Sequence, residues 1–175
     1  MKNIDDYNII STKKGDQGQT RNYSNELLSK SDLLFDVLGN NDELSSVLGL
    51  CFHYTNIIEI KEFQRVLQDI NSVIATNPNS SLYNKLNKVT EDDVLSLEAK
   101  EEELLKIKPL KPLFVLPGSD ASLKGAYFDL ARSVARRAER SLVRFSNVES
   151  RTDLIFEKKY LNRLSDLLFI YARNI

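Results

Sequence analysis

Apolar residues recur at three- and four-residue intervals along five stretches of the chain, which is the spacing of one face of an α-helix. The pattern predicts helices over about 31–54 and 59–76, a third from Thr90 through Lys106, a fourth that ends near Phe145 and a fifth after Asp153. No stretch alternates apolar and polar residues for long enough to require a β-sheet. Five helices with short links predict an all-α, five-helix bundle.

The ends of these helices carry recognisable capping residues. Ser31 is the expected N-cap of the first helix, and Ser119 or Asp120 that of the fourth. Thr90 and Asp93 have the spacing of a capping box, with Asp in place of the usual Glu. Residues 39–41, Gly-Asn-Asn, are poor interior helix residues. The first helix therefore either kinks there or tolerates them for packing or function, and we expect one helix.

Two segments lack a helical period. Residues 7–30 are polar and contain Gly15, Asp16, Gly18 and Thr20, which predicts an irregular loop segment. Residues 113–119 are an extended apolar stretch that closes in a turn.

Composition narrows the functional classes. A chain of 175 residues fits one domain, and its 24 basic and 25 acidic side chains provide no overall field for nucleic acid or an anionic membrane. The single cysteine, Cys51, excludes an internal disulfide and a cysteine-based zinc site. No apolar run approaches a membrane span, and the first residues resemble no targeting peptide. We expect a soluble, cytoplasmic protein with neither a nucleic-acid nor a membrane partner.

Residues 131–140 concentrate arginines on one helix. At about 100° per residue, Arg132, Arg136 and Glu139 lie on one narrow face, opposite an apolar stripe. Arg137 lies toward the apolar edge and Arg140 on the other flank. Because like charges one turn apart repel, an anion is expected nearby, either Glu139 or an external phosphate. The alternative is a solvated surface with ion pairs along the helix.

Four separated motifs occur together in the order and approximate spacing of one family. They are Thr12–Thr20, Asp42–Ser46, Arg132–Arg140 and Tyr160–Asp166. The glycine loop and the Asp-Glu-Leu motif are weak signals alone, whereas Arg-Arg-Ala-Glu-Arg combined with Tyr-Leu-Asn-Arg-Leu-Ser-Asp is specific. Over nearly its whole length the sequence resembles the PduO-type ATP:cob(I)alamin adenosyltransferases.

This resemblance implies a single domain over 1–175, with an ATP-binding loop segment at 1–30 and a helical bundle at 31–175. It implies a homotrimer with active sites between neighbouring subunits, which binds MgATP and a reduced corrinoid, cobalamin. The 5′-deoxyadenosyl group passes to cobalt, giving adenosylcobalamin and triphosphate. A reductase and an adenosylcobalamin-dependent enzyme are the further partners that such a reaction implies.

The resemblance also implies roles for individual residues. The implied nucleotide contacts are Thr12, Lys13, Lys14, Gly15, Asp16, Gly18, Thr20, Arg21, Lys30, Arg136, Arg137, Glu139, Arg140 and Asn162. Asp42 matches an aspartate that pairs across the subunit interface with the arginine at Arg132. Phe114 matches an aromatic residue that closes the lower side of the corrin, although its residue type and its neighbours alone are more typical of a core residue. No Mg²⁺ ligand is assigned.

The chemistry suits these residue types. Triphosphate is the leaving group, so Lys30, Arg136 and loop amides, together with Mg²⁺, would stabilise the developing charge. No side-chain nucleophile is required, and we expect a surface or packing role for His53. A rival hypothesis is a non-catalytic trimer that senses nucleotide or carries adenosylcobalamin. A helical nucleic-acid module is disfavoured by the near-neutral charge.

The chain departs from the family pattern at several positions. Lys14 replaces a usual Thr, Arg21 a small hydroxyl residue, and Asp129 a frequent His. Residues 117–119, Pro-Gly-Ser, replace a Gly-Gly turn. The two added basic residues favour phosphate binding, while the altered turn concerns the corrin side.

Overall fold

The computed structural model describes residues 4–118 and 122–175, most of them helical. Their elements, in chain order, are α1 (Tyr7–Ile10), β1 (Gln19–Arg21), β2 (Leu27–Ser29), α2 (Leu33–Thr55), α3 (Glu59–Ile74), a short 3-10 helix (Tyr83–Lys85), α4 (Glu91–Ile107), α5 (Leu123–Val148) and α6 (Ile155–Asn174). No helix among these is long and apolar enough to cross a membrane.

The long helices pack around α5, which contacts both α2 and α6; α3 lies against α2, and α4 against α6. The apolar stripe predicted from helical spacing is buried between them. Its fully buried members include Leu44, Leu48, Ile60, Leu67, Ile70, Leu142, Leu161, Leu164 and Leu168; Phe128, outside the predicted stripe, is buried with them, whereas Leu130, predicted on the stripe, is exposed. Burial of this continuous stripe is what stabilises the bundle.

The five predicted helices are confirmed, with small differences at their ends. The first is one continuous helix through residues 39–41, and a Cβ added at Gly39 would meet nothing within 4 Å. Close packing within the chain therefore does not explain this glycine. The predicted N-cap Ser31 is wrong: Asp32 caps α2 by accepting a hydrogen bond from Leu34 N at 2.9 Å.

The capping box at Thr90 is confirmed, since Thr90 N donates to Asp93 Oδ2 at 2.8 Å and Thr90 Oγ1 accepts from Asp93 N at 3.4 Å. The fourth predicted helix, α5, extends three residues beyond Phe145. Its N-cap is Ser122, which accepts from Gly125 N at 3.0 Å. The predicted caps, Ser119 and Asp120, lie outside the described residues.

The expectation of an irregular, sheet-free segment at 7–30 is wrong in part. It contains the one-turn helix α1, and β1 pairs antiparallel with β2 so that Thr20 faces Leu28. Strands of three residues are too short to show a periodic pattern. The hairpin is attached to the end of α3: Tyr23 N donates to Ala75 O at 2.9 Å.

Residue Asn77, which follows α3, completes this attachment. Its backbone N donates to Ser24 Oγ at 2.8 Å, and its side-chain amide donates to Glu26 Oε1 at 2.9 Å. The N-terminal segment is therefore fixed to the bundle although its own side chains bury little apolar surface.

A buried arginine organises the link between α5 and α6. Arg151 is 8% exposed; its guanidinium donates to Asp153 Oδ1 at 2.9 Å and to Val73 O at 3.2 Å. Tyr83 also donates to Asp153. These contacts join the α5–α6 link to the 3-10 helix and to the end of α3.

Candidate active site

The N-terminal loop encloses a cavity of about 470 Å³ that is rich in predicted nucleotide contacts. Its lining residues are Thr12, Lys14, Gly15, Gln19, Thr20, Arg21 and Leu27. The loop is tight: Gly18 N donates to Gly15 O at 3.2 Å, and Lys30 N donates to Gly18 O at 2.8 Å. Gly18 has φ of 74°, which favours glycine.

Lys30 lies directly against this loop. A Cβ built at Gly15 would stand 2.7 Å from Lys30 Nζ and 3.0 Å from its Cε. The β1–β2 hairpin thus brings the predicted lysine onto the predicted glycine. Arg21 lines the same cavity and donates through Nη1 to Asn25 O at 2.6 Å, which orients its guanidinium. Three cationic side chains, those of Lys14, Arg21 and Lys30, therefore surround one loop.

A second cavity, of about 280 Å³, lies between α2 and α5. It is lined by Leu33, Asp36, Asn40, Arg137, Arg140, Ser141 and Arg144. Arg137 donates through Nε to Asn40 Oδ1 at 2.9 Å and forms an ion pair with Glu43. Glu43 of α2 therefore compensates part of the arginine charge, although the sequence alone assigned it no such role.

Arg136 differs from Arg137. It is exposed, and no hydrogen bond or ion pair involves it within the described part of the chain. Glu139, the internal anion that the sequence suggested, instead accepts from Asn162 Nδ2 at 2.9 Å. Arg136 is thus an exposed cation available for an external anion.

The Glu139–Asn162 contact belongs to a longer chain of hydrogen bonds. Arg163 Nη1 donates to Asn162 Oδ1 at 2.5 Å, and Arg163 Nε donates to Glu98 Oε1 on α4 at 2.6 Å. Two predicted nucleotide contacts, Glu139 and Asn162, are therefore together. Arg163 was missed, although it stands next to Asn162 in a motif that was recognised.

A further carboxyl on α4 lies near this chain. Glu101 is half-buried, and its Oε1 has no hydrogen-bond partner among residues 4–118 and 122–175. Desolvation, with the nearby charge of Asp166, raises the pKa of Glu101 to about 7, against the opposing effect of Arg163. The Glu101 carboxyl therefore takes up a proton as the pH falls through neutrality.

Asp42 and Arg132 are not paired within one chain. Asp42 is exposed on α2, and it has no ion pair among the described residues. Arg132 is half-buried; its Nε is buried and lacks a hydrogen-bond partner in the same ranges, while its guanidinium carbon lies 6.0 Å from the Phe169 ring centroid. Their pairing across a subunit interface stays a prediction.

Phe114 is 90% exposed, so the alternative that it belongs to the core is wrong. It lies in the non-helical segment between α4 and α5, with Leu113 and Leu116 exposed beside it at 67% and 65%. Exposed apolar groups that are contiguous in this way are typical of a binding surface. His53 is exposed at the end of α2 and contacts Phe52 edge-on, consistent with a surface role.

Asp129, noted for its departure from the family pattern, is 5% exposed. Its Oδ2 accepts from Gly118 N at 2.8 Å, and its other oxygen forms an ion pair with Arg173 near the end of α6. The residues at 129 and 173 are far apart in sequence, and no motif joined them.

Most predicted site residues thus form three groups: the loop cavity, the α5–α6 side chains and the Phe114 segment; Asp42, on α2, belongs to none of them. Among the described residues, none lines both the loop cavity and the α2–α5 cavity. Within residues 4–118 and 122–175, no cluster of three or more His, Cys, Asp or Glu side chains could hold a metal ion.

Comparison with known proteins identifies the family. The family model described as Cobalamin adenosyltransferase matches residues 10–175. The chain is 34% identical to corrinoid adenosyltransferase MMAB of Bos taurus, covering 94% of this chain and 70% of that protein. It is 31% identical to a corrinoid adenosyltransferase of Citrobacter freundii, with 94% and 93% covered.

A solved structure supports the same assignment. It is a variant of the PduO-type ATP:corrinoid adenosyltransferase of Lactobacillus reuteri, complexed with cobalamin and ATP. It superposes with a TM-score of 0.81 at 30% identity, covering 94% of this chain and 92% of that one. The chain belongs to the cobalamin adenosyltransferase family.

Proposed function

We propose that this corrinoid adenosyltransferase transfers the 5′-deoxyadenosyl group of ATP to the cobalt of cob(I)alamin, giving adenosylcobalamin and triphosphate. The observation that carries the proposal for this chain is the position of Lys30, whose ammonium lies against Gly15, a residue that lines the loop cavity together with Lys14 and Arg21. Concentrated positive charge at one loop suits a triphosphate.

In this proposal the loop cations stabilise the leaving group. Negative charge increases on the triphosphate as its bond to the ribose carbon breaks, and fixed cations lower the energy of that state. Lys30 is positioned by the backbone hydrogen bond between its N and Gly18 O, and Arg21 by its bond to Asn25 O. The Arg21 guanidinium is therefore held in place, while the Lys30 ammonium stays free to reach a phosphate.

Arg136 is the α5 cation that we assign to the nucleotide. It is exposed, whereas the neighbouring Arg137 is already engaged by Asn40 and Glu43. Glu139 and Asn162 would complete this part of the site, with Arg163 and Glu98 fixing the Asn162 amide.

We further propose that the active site is completed between subunits of a homotrimer. The separation of the loop cavity from the α2–α5 cavity supports a site in which the loop of one subunit meets α5 of its neighbour. The exposed Asp42 and the partner-less Nε of Arg132 are suited to a pair across that interface.

The corrinoid half of the site is assigned to the Phe114 surface. A ring that is 90% exposed would bury its apolar area against the lower face of the corrin. Mg²⁺ does not fit a site built from protein carboxylates in the described residues, since none clusters. We assign it to the phosphates of ATP, the usual arrangement for this ion.

The proposal is tested by mixing the protein anaerobically with MgATP and chemically reduced cobalamin and recording the visible spectrum. Conversion to the spectrum of adenosylcobalamin is expected, with a large loss in Arg136→Ala. Arg65→Ala removes a largely exposed arginine of α3 that lines neither cavity and is the control. Nucleotide binding without product formation would contradict catalysis and favour the alternative, a sensor or adenosylcobalamin carrier.

A further inference from the structure

The segment that carries Phe114 is held at one end by α6 and at the other by α5. At its start, Lys108 Nζ donates to Arg173 O at 2.6 Å. At its end, Gly118 N donates to Asp129 Oδ2 at 2.8 Å, and the Asp129 carboxylate is paired with the Arg173 side chain. One residue of α6, Arg173, therefore meets both anchors of residues 108–118.

Asp129 is the connection between this segment and the rigid bundle. It is 5% exposed and Arg173 8% exposed, so both contacts form away from water. Gly125, one turn earlier on α5, approaches α6 so closely that an added Cβ would stand 2.7 Å from Ala172 O. The carboxylate thus lies one turn from a close approach between α5 and α6.

We propose that Asp129 is a positioning residue for the corrinoid half of the reaction. It fixes the end of the segment at Gly118 and thereby the position of Phe114. The inference rests on the proposed function, because it takes Phe114 as the residue that faces the corrin. Asp129 itself, being buried, touches neither substrate.

The residue type matters because both partners of Asp129 are donors. A carboxylate accepts through both oxygens, whereas an asparagine has one acceptor and one donor. Asp129→Asn keeps the shape of the side chain but places an amide N–H against either Gly118 N or the Arg173 guanidinium. One of the two contacts must therefore open, and the segment moves relative to α5.

A purely structural role would give a different result, and the chain offers a matched control. Asp153 is also the carboxylate partner of a buried arginine, Arg151, but it lies at the opposite end of α5. Asp153→Asn removes a comparable pair without touching residues 108–118. Comparing the two variants therefore distinguishes the effect of losing a buried ion pair from the effect of releasing the Phe114 segment.

The experiment measures steady-state adenosylation by the wild type, Asp129→Asn and Asp153→Asn. For Asp129→Asn, the KM for cob(I)alamin is expected to rise about tenfold or more, because displacement of a binding group by about 1 Å has an effect of at least this size. The KM for ATP should change less than about twofold. Asp153→Asn should change neither. An equal rise of both KM values, or no rise, would overturn the positioning role while leaving the proposed function intact.

Hydrogen exchange supplies a readout that does not depend on activity. In the unliganded protein, residues 110–118 should exchange faster in Asp129→Asn than in the wild type or in Asp153→Asn. Gly118→Ala, which strains the anchor at a φ of 74° without altering the Asp129–Arg173 pair, should raise the same KM, and the double variant should be less than additive. Unchanged exchange in Asp129→Asn, or fully additive effects, would overturn the proposal.

Discussion

At the scale of single residues, Lys30 shows how the fold places a cation beside the glycine loop. Its backbone closes the glycine loop and its ammonium lies where any side chain at residue 15 would stand. A side chain at residue 15 would therefore displace the Lys30 ammonium, and Gly15 keeps this position open. The exposed ammonium lacks an ion pair within the described residues, which leaves it available for phosphate.

Lys30→Ala should therefore weaken nucleotide binding without harming the fold. A charge-assisted contact contributes about 1.5–3 kcal/mol, so the KM for ATP should rise roughly 10- to 100-fold. The KM for cob(I)alamin and the melting temperature should stay close to those of the wild type. Lys85→Ala removes an exposed lysine of the 3-10 helix and is the control. An equal effect of the two variants would contradict the assignment.

Asp153 gives the chain an acid-sensitive contact. Burial opposes ionisation, but hydrogen bonds from Arg151 and Tyr83 outweigh it and lower the pKa of this carboxyl from 3.8 to about 2. The unfolded chain binds the proton more tightly. The contact therefore stabilises the fold above about pH 4, and this stabilisation is lost as the pH falls toward 2.

Urea unfolding of the wild type and Asp153→Asn measures this contribution. At pH 7 the variant should be less stable by about 2 kcal/mol, the contribution of hydrogen bonds to a charged group. The difference should narrow between pH 4 and pH 2 as the wild-type carboxyl is protonated. A difference that stays constant over this range would show that the ion pair does not stabilise the fold.

At the scale of elements, the crossing of α5 and α6 depends on one glycine. A Cβ at Gly125 would collide with the backbone oxygen of Ala172, which cannot move as a side chain can. Gly125→Ala should cost about 1–3 kcal/mol by forcing the helices apart. The matched variant Gly39→Ala places a methyl group in open space within a helix, and it should gain about 0.5–1 kcal/mol.

Melting temperatures provide the measurement, because 1 kcal/mol corresponds to about 2–4 °C for a chain of this size. Gly125→Ala should melt lower and Gly39→Ala higher than the wild type. If Gly39→Ala melts lower, a second subunit packs on that face of α2. If Gly125→Ala melts like the wild type, α5 and α6 do not cross as described.

The long helices were predictable because their apolar positions repeat over four or more turns. Hydrogen bonds between residues that are distant in sequence were not predictable in this way. The Asp129–Arg173 pair joins residues whose separation follows only from the antiparallel packing of α5 on α6. Periodicity likewise placed Arg137 toward the apolar edge of its helix but could not reveal Glu43 as its partner. The resemblance supplied the proposed site residues, whereas the hydrogen bonds that hold them in place could be identified only from the folded structure.

At the scale of the whole molecule, the proposed site would be completed by a neighbouring subunit. The exposed Asp42 and the half-buried Arg132 are the groups that a neighbouring subunit would join. A homotrimer of the 20.0-kDa chain would have a mass of about three times that value, and most stable oligomers of this kind are closed and symmetric.

Native mass spectrometry tests the trimer and its proposed interface pair. Asp42→Arg should shift the protein toward monomer, because it places two like charges together. Combining it with Arg132→Asp should restore the trimer by exchanging the two charges. Glu43→Ala, which removes the ion pair with Arg137 within one chain, should leave the oligomeric state unchanged. Absence of recovery in the charge exchange would reject this pair as the contact.

The attachment of the β1–β2 hairpin to Asn77 has a consequence for engineering the protein. The turn after α3 is polar and largely exposed, so it resembles a harmless place to graft an epitope tag or a linker. Its backbone and side chain nevertheless carry the hairpin that ends at Lys30. A graft there would disturb the N-terminal glycine loop from a distance, whereas one at the exposed Asn84 would leave it in place.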